Sequence, residues 1–285
     1  MNAKQWVLLA ITPLVLALAN FFMFSSNTLL GESVIWFSIG VALFLLTFTI
    51  HEKTFSLSKQ GFTAGVLNLT ATLITFFLYS FNFLTNVFPF IAASAVLFFA
   101  IDVITSRNKV NFKMIAGVAV VFTGLVVTQV YNLTLKIDGL TLGLVLMVIV
   151  ALTDFLLLHG LNKKNLPSRI QSFTLPFLLT LILFLPLNHA LTRVNLNAVI
   201  SGFLMGAGFL LLCKTLIEIN ENTLWSRNLV NLTSYTDLII LNILAVLAFQ
   251  QSYTLNGLAG SLIVFTGIII FLTSRQEKKK FLLKL

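Results

Sequence analysis

Long apolar runs broken by short polar gaps organise the chain. Ten runs stand out: Trp6 to Phe24, Val34 to Ile50, Phe62 to Tyr79, Phe83 to Ile104, Met114 to Val130, Leu140 to His159, Ser172 to Leu187, Val199 to Ile217, Leu224 to Phe249 and Leu258 to Leu272. Each approaches the roughly 20 apolar residues that a helix needs to cross the hydrocarbon core of a bilayer. The pattern therefore predicts an all-α integral membrane protein with ten transmembrane helices. Between the third and fourth runs, the polar patch Ser80, Phe81, Asn82 divides what would otherwise read as one overlong segment, and it predicts a tight turn.

The gaps test the count, because alternate gaps must face opposite sides of the membrane and cytoplasmic gaps collect Lys and Arg. With the N-terminus inside, the cytoplasmic gaps hold Lys4; Lys53 and Lys59; Arg107, Lys109 and Lys113; Lys163, Lys164 and Arg169; Lys214 and Arg227; and Arg275, Lys278, Lys279, Lys280 and Lys284. That is 16 of the 18 basic residues, and only Lys136 and Arg193 fall on the other side. Ten spans with both termini cytoplasmic fit this division. Lys4, the first apolar run and Ala17-Leu18-Ala19 also resemble a cleavable signal peptide. Cleavage would break the alternation, so the run is expected to stay as the first span.

Composition agrees with this reading. Of 285 residues, 58% are hydrophobic and 9% charged, where a soluble domain carries about 25% charged residues. A soluble fold is excluded, because a body of this size needs a polar shell in water. The net charge of +9 is explained by membrane orientation and calls for no nucleic acid. Cys213 is the single cysteine, which rules out an intramolecular disulfide. The three histidines, His51, His159 and His189, belong to no metal-binding or nucleophile motif. Neither an enzyme nor a cofactor is expected, and the lack of a P-loop argues against direct use of ATP.

The chain also resembles itself. Ala116 to Gly124 recurs as Ala259 to Gly267, with six of nine positions identical and an offset of 143. Ala17 to Phe21 matches Ala151 to Phe155, Gly61-Phe62 with Gly65 matches Gly202-Phe203 with Gly206, and Leu78-Tyr79-Ser80 with Asn82 matches Leu224-Trp225-Ser226 with Asn228. Four matches in the same order divide the chain into residues 1–137 and 138–285, each with five spans, the second ending in a basic tail at 274–285. A repeat with an odd number of spans must be inverted. Inverted repeats are a common architecture of secondary transporters, in which one part rocks against another around a midplane site.

These residues resemble the EamA-like transporter family of the drug/metabolite transporter superfamily. The carriers are the two glycine motifs just quoted, Asp138-Gly139 at the start of the second half, the Lys163-Lys164 turn, and Pro89 after the polar start of the fourth span. The resemblance covers nearly the whole chain. It implies movement of small molecules, often export of amino acids, metabolites or drugs, with a central cavity between the halves. The chain departs from the family at Asn108 and Gln251, where acidic residues are frequent, at Ser38, near which many members carry Arg, and near Asp237, where a proline is frequent. This implies a divergent member.

Polar residues at helical spacing mark candidate lining. Asn68, Thr72, Thr75 and Tyr79 follow one another by 4, 3 and 4 residues, a narrow stripe at about 100° per residue. Asn82 and Asn86 extend it toward Pro89. In the ninth span Asn228, Asn231, Tyr235 and Asn242 form one face, and Ser226, Thr233 and Asp237 the opposite one; which of them lines a wet path is open. Asp154 and Asp237 are carboxylates within spans, which are costly in lipid and commonly functional. They are the candidates for binding a substrate amine or a coupling proton. The expectation is a secondary transporter in a bacterial-type cytoplasmic membrane, monomeric or homodimeric, moving a small organic solute with protons as a candidate coupling ion. The alternative is a transport-inactive scaffold or sensor of the same fold.

Overall fold

In a computed structural model of the chain the apolar runs among the described residues fold as helices; the ninth run lies almost wholly outside the described residues. The structure describes residues 3–26, 30–52, 55–80, 84–105, 112–131, 134–135, 137–184, 194–220, 240, 244 and 255–274. Nine helices lie among them: α1 (Ala3–Ser25), α2 (Leu30–Glu52), α3 (Lys59–Ser80), α4 (Leu84–Thr105), α5 (Phe112–Thr128), α6 (Ile137–Leu158), α7 (Leu166–Phe184), α8 (Leu196–Asn220) and α9 (Leu255–Ser274). The last falls on the tenth expected span. Between α5 and α6, Val130 pairs with Leu135 and Tyr131 with Thr134 in a two-residue antiparallel ladder.

Among the described residues, five helices are long and apolar enough to cross a membrane: Lys4–Ser25, Glu32–Glu52, Lys59–Leu78, Leu140–Leu158 and Leu196–Glu218. Shorter apolar segments occupy α4, α5 and α9. Large apolar side chains such as Ile50, Phe112, Ile182 and Leu262 are exposed, as suits helices whose solvent is lipid. By length and composition these helices fit a multi-pass membrane protein.

Local sequence sets several helix ends. Ser58 Oγ accepts the N–H of Gly61 at 3.3 Å and caps α3, and Asn195 Oδ1 accepts that of Ala198 at 3.1 Å and caps α8. Pro167 lies in the first turn of α7, where its missing N–H removes no helical bond.

The helices pack as two compact units, Met1–Asn82 with Leu156–Gln250 and Phe83–Phe155 with Gln251–Leu285. The expected division of the chain at 137/138 is a division of the sequence; by packing, each unit combines segments from before and after that point.

In the first unit α1 runs antiparallel to α8. Lys4 pairs with Glu218 at 2.8 Å, the Thr12 and Thr215 hydroxyls meet at 3.1 Å, Ser201 Oγ donates to the Ala19 carbonyl at 2.7 Å, and Asn195 Nδ2 donates to that of Ser26 at 2.7 Å. Glycines fix the parallel contacts of α2 with α8 and of α3 with α7. A Cβ at Gly202 would collide with the Phe37 carbonyl oxygen, one at Gly40 with that of Val199, and one at Gly65 with that of Phe173, while one at Gly61 would come within 2.6 Å of that of Arg169. Phe37 joins α2 to its neighbours through ring contacts with Phe76 and Phe177, both at 5.8 Å.

In the second unit α5 and α9 pack antiparallel along four glycines. A Cβ on Gly117 would lie 2.8 Å from the Phe271 nitrogen, and one on Gly260 would lie 2.7 Å from the Thr128 nitrogen. A Cβ on Gly124 would lie 2.7 Å from the Val264 nitrogen, and one on Gly267 would lie 2.7 Å from the Val121 nitrogen. The contacts are reciprocal under the sequence offset of 143: each glycine meets the residue equivalent to the one its counterpart meets. Antiparallel packing is also the relation expected of a fifth and a tenth span in an alternating chain.

Candidate functional site

Three residues of the stripe expected on α3, Asn68, Thr72 and Thr75, are buried. Gly61, Gly65, Asn68, Thr72 and Thr75 advance by 4, 3, 4 and 3 residues and therefore share one face. Its first two members pack on the backbone of α7, and the next three are buried at 9%, 5% and 6% exposure. Thr75 uses its hydroxyl on its own helix, donating to the Ala71 carbonyl at 2.7 Å. Asn68 Nδ2 is buried and has no hydrogen-bond partner among the described residues. An unpaired amide in an apolar interior costs on the order of 1–3 kcal/mol, so Asn68 is a poor choice for packing alone.

Other unpaired polar atoms lie on α2. Among the described residues, Ser38 Oγ is buried without a partner, as are Trp36 Nε1 and Thr49 Oγ1. Trp36 and Ser38 are two positions apart, about 200° around the helix, and do not share a face. Ser38 and Thr49 are separated by eleven residues, close to three full turns, and do.

The remaining expected residues divide by place. Tyr79 is in the last turn of α3 and Asn86 in the first turn of α4. Asn82, Asn228, Asn231, Tyr235 and Asp237 lie outside the described residues. Asp154 is in the second unit, on α6, and is half-buried. Its helical neighbours Val150, Ala151, Leu157 and Leu158 are apolar, and its carboxylate has no hydrogen bond or cation among the described residues. Phe155 beside it meets the Phe98 ring at 6.4 Å. Among the described residues no group of three or more His, Cys, Asp or Glu side chains is placed to hold a metal.

The seventh span, expected from Ser172, begins at Leu166, a turn and a half earlier. Arg169, counted from the sequence among the cytoplasmic gap residues, is inside this helix and 4% exposed. Its Nη1 donates to the Leu156 carbonyl at 2.5 Å and the Leu157 carbonyl at 3.2 Å, and its Nη2 donates to the His159 carbonyl at 3.0 Å and to Gln60 Oε1. The cation thus closes the C-terminal end of α6, where free carbonyls and the helix dipole favour positive charge. Gln171, Ser172, Thr174 and Thr180 are also buried on this helix. Gln171 Oε1 and Ser172 Oγ accept the backbone N–H groups of Ser56 and Ser58 at 2.8 and 2.6 Å, which docks the chain entering α3 onto α7. The available signal was the polar run Ser168, Arg169, Gln171, Ser172, Thr174 at the edge of the seventh apolar run.

At the end of α8, Glu218 pairs with Lys4 of α1, and its backbone carbonyl accepts from Gln5 Nε2 at 2.9 Å.

No protein-family model matches this chain, and comparison with curated proteins likewise gives no match.

Proposed function

We propose that the chain is a secondary transporter that moves a small organic solute across the cytoplasmic membrane by alternating access, without ATP, a cofactor or chemical change of the solute. The observation that carries this reading is the buried α3 stripe of Asn68, Thr72 and Thr75, with the Asn68 amide lacking a partner among the described residues in a helix apolar enough to span a bilayer. A hydrogen-bond donor kept bare inside a membrane bundle is expensive, and function is the usual reason for retaining one. Solute oxygens would meet it as acceptors. Tyr79, Asn82 and Asn86 extend the proposed path, with Asn228, Asn231 and Tyr235 contributed by the ninth span.

The reciprocal glycine contacts of α5 and α9 support an architecture of ten spans in two inverted repeats with both termini cytoplasmic. Within that architecture the chain is a divergent relative of the EamA-like family, and export of an amino acid, metabolite or drug is the favoured activity. Asp154 and Asp237 are the proposed proton or amine ligands, as monomer or homodimer. An unpaired carboxylate on an apolar helix face suits a group that exchanges protons or cations.

A scaffold or sensor of the same fold is the second reading, favoured by the neutral Asn108 and Gln251 at positions that are acidic in many members of the resembling family. Proteoliposome uptake separates the two. A transporter accumulates or exchanges a labelled solute, and Asp154→Asn alters the pH dependence of that uptake; a scaffold moves none.

A further inference from the structure

Three exposed lysines gather at one end of the first unit. Lys163 and Lys164 occupy the turn between α6 and α7, and Lys59 is the first residue of α3. Arg169 joins the two segments: its Nη2 bonds both Gln60, beside Lys59, and the His159 carbonyl, four residues before Lys163. One guanidinium nitrogen bridges them, so the start of α3 and the turn lie within side-chain reach of each other. The four Nη hydrogens of Arg169 are committed to neutral acceptors, and an approaching ligand meets the lysines.

The turn is preorganised. Gly160 takes a φ of 66° and opens it. Asn162 Oδ1 accepts the N–H groups of Lys164 and Asn165, both at 3.0 Å. Asn165 Oδ1 accepts that of Asn162 at 2.8 Å, and its amide donates to the Gly160 carbonyl at 3.0 Å. A ligand here does not have to order the backbone that presents the charges. Glu218 lies in the electrostatic field of Lys163 but is bonded to Lys4 at 2.8 Å, so Lys59 and Lys164 carry the larger share of the attraction.

An apolar strip leads away from Lys59. Phe62, Val66, Leu73 and Phe77 are exposed along the outer side of α3, with the 4- and 7-residue spacing of one helical face. The cations are therefore at the ends of membrane helices, at headgroup level, with an apolar track running toward the hydrocarbon. We propose that Lys59, Lys163 and Lys164 bind the anionic headgroup of a membrane phospholipid whose acyl chain lies along Phe62, Val66, Leu73 and Phe77. A juxtamembrane lysine is worth about a fivefold preference for anionic lipid at low salt.

Native mass spectrometry of the purified full-length chain with equal amounts of phosphatidylglycerol and phosphatidylcholine tests this independently of transport. The wild type is expected to retain phosphatidylglycerol more than tenfold over phosphatidylcholine, and the combined K59Q, K163Q and K164Q variant less than threefold. The K59R, K163R and K164R variant should keep the preference and so control for folding. Inorganic phosphate at the same concentration should not displace the lipid. Equal retention of both lipids by the wild type, an undiminished preference in the Gln variant, or displacement by phosphate alone would each overturn the proposal.

Discussion

Gly124 on α5 and Gly260 on α9 approach so closely that a Cβ on the first would lie 2.8 Å from the carbonyl oxygen of the second, and a Cβ on the second 2.7 Å from the carbonyl oxygen of the first. Both clashes are with backbone, which no rotamer change can relieve. Gly124→Ala and Gly260→Ala should each cost about 1–3 kcal/mol, the usual range for overpacking a tight contact. Thermal unfolding of the detergent-solubilised protein, followed by tryptophan fluorescence, reads the loss. Wild-type transitions in both variants would refute the close contact.

Gly160 offers a control for backbone strain. A Cβ there would meet nothing within 4 Å, but φ is 66°. Gly160→Ala should cost about 1 kcal/mol from the left-handed conformation alone, and Gly160→Asn less, since Asn tolerates that region. An equal effect of both substitutions in the unfolding assay would contradict this assignment.

Arg169 cannot be replaced by an equal charge. Lysine lacks the planar fork that reaches three carbonyls and the Gln60 amide oxygen. Arg169→Met leaves the end of α6 unpaired and should destabilise by on the order of 3 kcal/mol; Arg169→Lys should recover only part of it. Full rescue by Lys would show that charge, and not geometry, is what α6 requires.

Lys4 and Glu218 illustrate the opposite case. Their side chains are 67% and 28% exposed, and a solvent-screened pair of this kind contributes less than about 1 kcal/mol. A double-mutant cycle with Lys4→Gln and Glu218→Gln should return a coupling below that value, falling further in high salt. A coupling of several kcal/mol would mean that the pair is shielded from solvent.

The extent to which the sequence foretold these features follows from where the information resides. Hydropathy reports burial in lipid, so α1, α2, α3, α6 and α8 coincide with apolar runs. The Asn68, Thr72, Thr75 stripe was legible because helical period alone puts the three on one face. Arg169 was not, because its acceptors are mainly backbone carbonyls, which every residue carries and no sequence pattern distinguishes. The same limit hid Ser38: a small hydroxyl residue in an apolar run reads as packing, and only the structure shows that its oxygen lacks a partner among the described residues. The glycine repeat gave the reverse case, since Gly117, Gly124, Gly260 and Gly267 stand out in sequence and the structure places all four in one contact.

Whether the α3 stripe serves solute passage at the expense of stability is tested most directly by Asn68→Leu. Removing an unpaired buried amide should raise stability by about 1 kcal/mol, while uptake of labelled small organic solutes into proteoliposomes falls to the level of protein-free vesicles. Wild-type uptake by a correctly inserted Asn68→Leu variant, or no solute moved by the wild type above protein-free vesicles, would contradict the account.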